Sequence, residues 1–303
     1  MKLFDLHADL GHAVLKKKRA GYTDILSSFY TEGLQTGGIK AVCMASYFDG
    51  RQDWAQMQEM VLTLREAIDE CPAVRLVDDA RKIDWTDPYL YAMLSIEGMC
   101  GIRENVEEKL DWLYAQGVRL ASLCWNERNA LACGVLGGNS GLSELGIAAV
   151  RHMERIGMRI DVSHANEATF WDIFAHTSGV IIASHSNARA LCPHVRNLTQ
   201  RQMTAIAQRG GVIGAVAAAP FVHPVREHQD FLHYLHQVRW LCESVGCSHV
   251  GYGFDFMEYY DGVADAVQGL ERPAQAIHLG NWLEKEKAYQ KTAYENAVRV
   301  LSF

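Results

Sequence analysis

Six prolines in 303 residues, never two together, and no low-complexity tract leave no stretch that would serve as a linker. The expectation is one domain spanning residues 1–303. The eight cysteines, at 43, 71, 100, 124, 133, 192, 242 and 247, contain no CxxC pair, which excludes a zinc knuckle and points to reduced, mostly buried thiols. No basic segment followed by an apolar run precedes the first strand-like stretch, so a cytoplasmic location is expected. The longest apolar stretch, GGVIGAVAAAPFV at 210–222, is too short and glycine-rich to span a bilayer. An excess of positive charge is also missing: 29 Lys+Arg against 36 Asp+Glu gives a net charge of −7. That argues against nucleic acid or an anionic membrane as partner.

What is present is enough apolar sequence for a large core, 49% hydrophobic against 21% charged. Short β-branched runs recur at 3–10, 39–48, 89–98, 118–125, 158–164, 179–186, 210–222 and 249–257. Segments of helical periodicity lie between them, such as 53–70, 143–157 and 230–246, and glycine often opens the next run. Eight strands alternating with helices predict a parallel sheet with crossovers. The number and the chain length favour a closed (β/α)₈ barrel over an open doubly wound sheet.

The first run reads DLHADL and places Asp5, His7 and Asp9 at every second position, predicted to share one face of a strand. Burying them together is expensive unless something binds them. The other runs carry matching polar ends: Glu97 in SIEG, His164 in DVSH, His185 in SHS and Asp255 in GFDF. Each has an ordinary alternative, such as a helix N-cap for Asp255. Together, at the ends of alternating strands, they point to one shared site. Imidazoles and carboxylates in this mixture suit zinc first, with manganese, cobalt or iron behind it. His7, Asp9, Glu97, His164 and His185 exceed what one catalytic zinc takes, so two ions about 3.5–4 Å apart are expected, with Glu97 between them. Asp5 is expected to support a ligating histidine.

The ordered set DLHAD, SIEG, DVSH, SHS with VRN, GYGFDF and ENAVRVL resembles the renal (membrane) dipeptidase family of binuclear zinc peptidases, among the amidohydrolase-like barrels. The match runs from residue 5 to 301, and the spacings of 21 residues from His164 to His185 and 11 from His185 to Arg196 are similar to the family's. The resemblance implies two Zn²⁺ held by His7, Asp9, Glu97, His164 and His185, with a bridging hydroxide as nucleophile. It implies Asp255 as acid/base and Arg196 as the anchor of the substrate's C-terminal carboxylate. The implied substrate is a dipeptide, with a D-residue allowed at its C-terminal position, and the implied assembly is a homodimer.

One position departs from the family. Many members carry a histidine after a Leu-Thr pair, linked to the substrate carbonyl, where this chain reads SLCWNERN with Trp125 and Asn126. Asn126 is then the candidate donor to the carbonyl and Trp125 a wall of the pocket. The glycine-rich segment 129–141 is expected to shape the rim, while His12, His223, His228, His233 and His236 are expected on the surface. Two other functions remain open: a different amidohydrolase reaction, such as N-acyl amino acid deacylation or cyclic amide or lactone hydrolysis, and a metal-binding barrel without catalysis. Many enzymes of the first kind bridge their ions with a modified lysine, and VRLASLCW has none.

Overall fold

In the computed structural model of the chain, residues 1–260 and 265–303 are described. Among the described residues nine parallel strands alternate with helices: β1 Leu3–Ala8, β2 Ile39–Tyr47, β3 Val74–Leu76, β4 Leu90–Glu97, β5 Val118–Ser122, β6 Arg159–Asp161, β7 Ile181–Ala183, β8 Val212–Ala215 and β9 Val250–Tyr252. Eight of them close a ring in the order β1–β2–β4–β5–β6–β7–β8–β9, with β9 returning to β1. This is the predicted (β/α)₈ barrel. The ninth strand, β3, was not among the eight runs; among the described residues it pairs with the first three residues of β4 alone, from Val74–Leu90 to Leu76–Ala92.

The helices start where side chains can satisfy their first amides. Asp53 and Gln56 form a reciprocal cap on the helix Trp54–Glu70, Ser143 caps Glu144–Ile156, and Asp230 caps Phe231–Val245. The run 210–222 is shorter as a strand than its composition suggests. It leaves the sheet at Ala215 and becomes the short helix Ala219–Val222, with Pro220 in its first turn, where a missing N–H costs nothing.

Inside the ring, Phe4 and Leu6 of β1 pack with Ala41, Cys43, Tyr91, Met93, Leu120, Ile182 and Val212, and Val300 and Leu301 join the same cluster. A larger apolar layer lies between the strands and the helices. The strict alternation expected of DLHADL does not hold, because the β1–β2 ladder slips between Asp5 and Ala8. Asp5 therefore turns to backbone: its Oδ1 accepts from the amides of His7 at 3.1 Å and Phe254 at 3.0 Å, rather than from a histidine ring. In doing so it ties β1 to the segment that carries Asp255. Among the described residues, no helix is long and apolar enough to cross a membrane.

Candidate active site

The C-terminal ends of the strands open on a cavity of about 390 Å³, a size that accepts a small ligand. Its lining includes Asp9, Glu97, Trp125, Asn126, His164, Arg196 and Asp255, seven of the positions singled out by sequence. His7 and His185 lie just beneath, both buried.

Glu97 ends β4 and is the hub. Its Oε1 lies 2.5 Å from His164 Nε2 and 3.2 Å from His185 Nε2, and its Oε2 lies 3.7 Å from His7 Nε2. On the other side of His7, Asp9 Oδ1 is 3.4 Å and Asp255 Oδ1 4.0 Å from the same nitrogen. The His7 and His185 rings stack at 3.8 Å. Two overlapping groups of possible ligand atoms result, His7–Glu97–His185 and His7–Asp9–Asp255.

Three residues here depend on unusual backbone. Gly98, immediately after Glu97, has φ +83°, and a Cβ there would press on the Phe48 carbonyl. His164 and Asp255 adopt φ +72° and +55°, left-handed values that cost a non-glycine residue about 1–3 kcal/mol and cluster at functional sites. The turn at His164 is braced by the glycine-rich segment, whose Val135 amide donates to the His164 carbonyl at 3.0 Å. That segment supports the site from behind, and none of its residues line the cavity.

The ring nitrogens that face away from Glu97 are also held. Asn126 Oδ1 lies 2.8 Å from His164 Nδ1, and Ser184 Oγ lies 2.7 Å from His185 Nδ1. Ser184 Oγ in turn donates to Asp161, whose Oδ1 also takes the amides of Ser163 at 2.9 Å and Ser184 at 3.0 Å. Asp161 and Ser184 were not singled out by sequence. Asp161 sits in DVSH, where one more carboxylate three residues before a candidate ligand was the available signal. With Nδ1 occupied, both Nε2 lone pairs point inward, 2.9 Å from each other.

Charge is distributed unevenly across these groups. Burial opposes ionisation of Glu97, but the His164 and His7 rings hold its carboxyl well below the usual range. Burial likewise opposes a charge on His7, yet Asp9 first and then Glu97 hold its imidazole well above its ordinary value. Burial, with Arg196 second, pushes His164 down to about 4, and burial with His7 pushes His185 well below its ordinary value. Burial raises Asp255 to about 7, against the pull of His7 and with the repulsion of Asp9 and Glu97.

These residues fit a cation. His7 Nε2 is buried without a hydrogen-bond partner among the described residues, although three carboxylates surround it. Two imidazole nitrogens facing each other across one carboxylate oxygen cannot both be satisfied by hydrogen bonds, and a metal would satisfy them together.

The substrate side is built from Arg196 and aromatics. Arg196 is buried in the cavity wall, its Nη2 donating a long 3.4 Å bond to the His185 carbonyl, its plane 5.6 Å from the Phe221 ring and its Nε without a partner among the described residues. Trp125 stands edge-on to Tyr47 at 5.2 Å and tilts 6.0 Å from His164, and it lines the same cavity. Tyr47, His194, Ala218, Pro220, Phe221, Met257 and Asp265 complete the lining among the described residues and carried no signal of their own in the sequence. His12 lines a separate hollow with Lys16 and Arg19.

Comparison with known proteins agrees with this geometry. The family model described as membrane dipeptidase (peptidase family M19) matches residues 1–303. An uncharacterized protein of the pqqA 5′ region of Klebsiella pneumoniae is 33% identical over 227 residues, covering 71% of this chain and 82% of that protein. The dipeptidase aclJ of Aspergillus oryzae is 29% identical over 204 residues, covering 66% of this chain and 47% of that protein. Among solved structures, a metallopeptidase from Rhodobacter sphaeroides liganded with a phosphinate mimic of L-Ala-D-Ala superposes with a TM-score of 0.88 over 99% of this chain and 98% of that one, at 22% identity. That likeness shows the shared barrel.

Proposed function

Because the chain belongs to the membrane dipeptidase family, peptidase family M19, we propose that it hydrolyses dipeptides with a free C-terminal carboxylate, using two divalent ions of the zinc class at the barrel mouth. His7, Asp9 and Glu97 would hold one ion, and Glu97, His164 and His185 the other. Such ions, when bound, polarise the scissile carbonyl and bring a water to its nucleophilic form near neutral pH. The observation that carries this reading is the convergence of three histidine Nε2 atoms on the two oxygens of Glu97.

The chain's own groups would do the rest. Asp255, which lines the cavity 4.0 Å from His7, would accept the water's proton and return it to the leaving amine. Arg196 presents a planar fork to the substrate's carboxylate, fixing which amide bond lies over Glu97. Asn126 keeps the His164 ring oriented and borders the path of the substrate carbonyl. Trp125, Tyr47 and Phe221 exclude water from the bound peptide. A bridging lysine has no counterpart on β5, whose residues are Val118–Ser122, which favours peptide hydrolysis over the lysine-bridged amidohydrolase reactions.

The test is a screen of zinc-loaded protein against dipeptides with L- and D-residues at the C-terminal position, N-acyl amino acids and lactones. Turnover of free-acid dipeptides is expected. Turnover of N-acyl amino acids or lactones alone would overturn the assignment.

A further inference from the structure

The segment that leaves β8 carries three imidazoles that the barrel mouth does not use. After the helix Ala219–Val222 the chain passes His223, turns through Arg226–His228 and enters the helix Phe231–Val245, which bears His233 in its first turn. This path brings the three rings together, with centroids 4.9 Å apart for His223 and His228, 5.0 Å for His223 and His233, and 4.7 Å for His228 and His233. The residues are spaced five apart, so neither a helix nor a strand period gathers them; the fold of the loop does.

All three are at least partly exposed, so core packing does not demand the cluster. Water reaches it: His223 borders a hollow of about 220 Å³ with Cys192, His194, Pro220 and Gln229. Two rings are already oriented. Asp230 Oδ1 lies 2.8 Å from His233 Nδ1, a carboxylate–imidazole pair that fixes the tautomer with its lone pair on Nε2, as metal-binding histidines are commonly held. His223 Nδ1 accepts from the Val225 amide at 3.1 Å and lies 3.3 Å from the Val225 carbonyl, so binding an ion through Nε2 moves the ring's proton to Nδ1 and exchanges the amide bond for one to the carbonyl. His228 stands on the exposed turn and can rotate its ring toward the other two.

We propose that His223, His228 and His233 form a separate binding site for a divalent transition ion that prefers imidazole, Zn²⁺, Ni²⁺ or Cu²⁺, with water completing the coordination. Three imidazoles and a water are a complete set for tetrahedral zinc. The donor atoms are not gathered as the rings stand, so binding needs ring rotation, at the exposed His228 first, together with the shift of the His223 proton to Nδ1. Asp230 acts beside the site by holding His233, while also capping the helix through the His233 amide at 2.9 Å.

The test titrates the chain, first stripped of metal, with Zn²⁺ by equilibrium dialysis and elemental analysis, alongside His228→Gln and His223→Gln. The wild type takes up one ion per chain more than either variant under the same conditions. Each variant weakens that ion by at least about tenfold, the loss that even a supporting hydrogen bond of a metal ligand carries. The ions at the barrel mouth stay in place in both variants, so failure of the mouth assignment and failure of this one are read separately. Asp230→Asn, which keeps a capping oxygen, weakens the extra ion while leaving the fold's thermal transition in place. Equal ion counts and equal affinities in wild type and His228→Gln would overturn the proposal.

Discussion

Replacing Arg196 by methionine keeps the volume of the cavity wall and removes the fork. The side chain is buried, and among the described residues its one hydrogen bond is the 3.4 Å contact with the His185 carbonyl, so little of its donor capacity is spent internally. A hydrogen bond to a charged partner is worth about 1.5–3 kcal/mol. At about 1.4 kcal/mol per factor of ten, losing one such bond to the substrate carboxylate lowers kcat/KM by about 10- to 150-fold. The same number should separate a dipeptide from its C-terminal amide in the wild type. The assay is therefore a cycle: kcat/KM of wild type and Arg196→Met on a free-acid dipeptide and on its amide, with metal content measured in parallel. The expected result is a large loss on the acid and almost none on the amide. An equal loss on both, or a loss that tracks lost metal, would show that Arg196 acts through His185 rather than on the substrate.

Two further substitutions probe the other groups. Asp255→Asn should retain metal and lose turnover by about 10²- to 10⁴-fold, the usual worth of a positioned acid or base; unchanged kcat would remove Asp255 from the proton path. Asp161→Asn should leave the barrel folded by circular dichroism but weaken metal binding by about 10- to 100-fold, since it loosens the Ser184 hydroxyl that orients His185. Wild-type metal affinity in that variant would reduce Asp161 to a backbone brace.

The parts legible in the sequence are those written in local pattern. Runs of β-branched residues located all eight ring strands, and Ser143, Asp53 and Asp230 stood where the helices begin. β3 escaped because Val74–Leu76, with Arg75 at its centre and Pro72 and Asp78 close on either side, lacks the longer run in which the equally short β6, β7 and β9 sit. Glu97 is the last residue of its strand, as its position suggested. His164 and Asp255 are not strand residues: each lies three positions beyond the end of β6 or β9, turned toward the cavity by left-handed backbone. No period reveals such a turn. The support of His185 by Asp161 through Ser184 joins two neighbouring strands, and a residue-by-residue scan does not pair them. Asp5 illustrates the opposite case, a polar position correctly marked as buried whose partner was decided by a slip in the ladder.

The central claim is that Glu97 is the carboxylate shared by two ions. Its most direct test is the metal content of Glu97→Gln against the parent protein, both carrying His228→Gln so that the rim contributes nothing. The parent should hold two divalent ions per chain, and Glu97→Gln at most one, with the same far-ultraviolet spectrum. A parent that holds none, or a Glu97→Gln protein that keeps both, would contradict it.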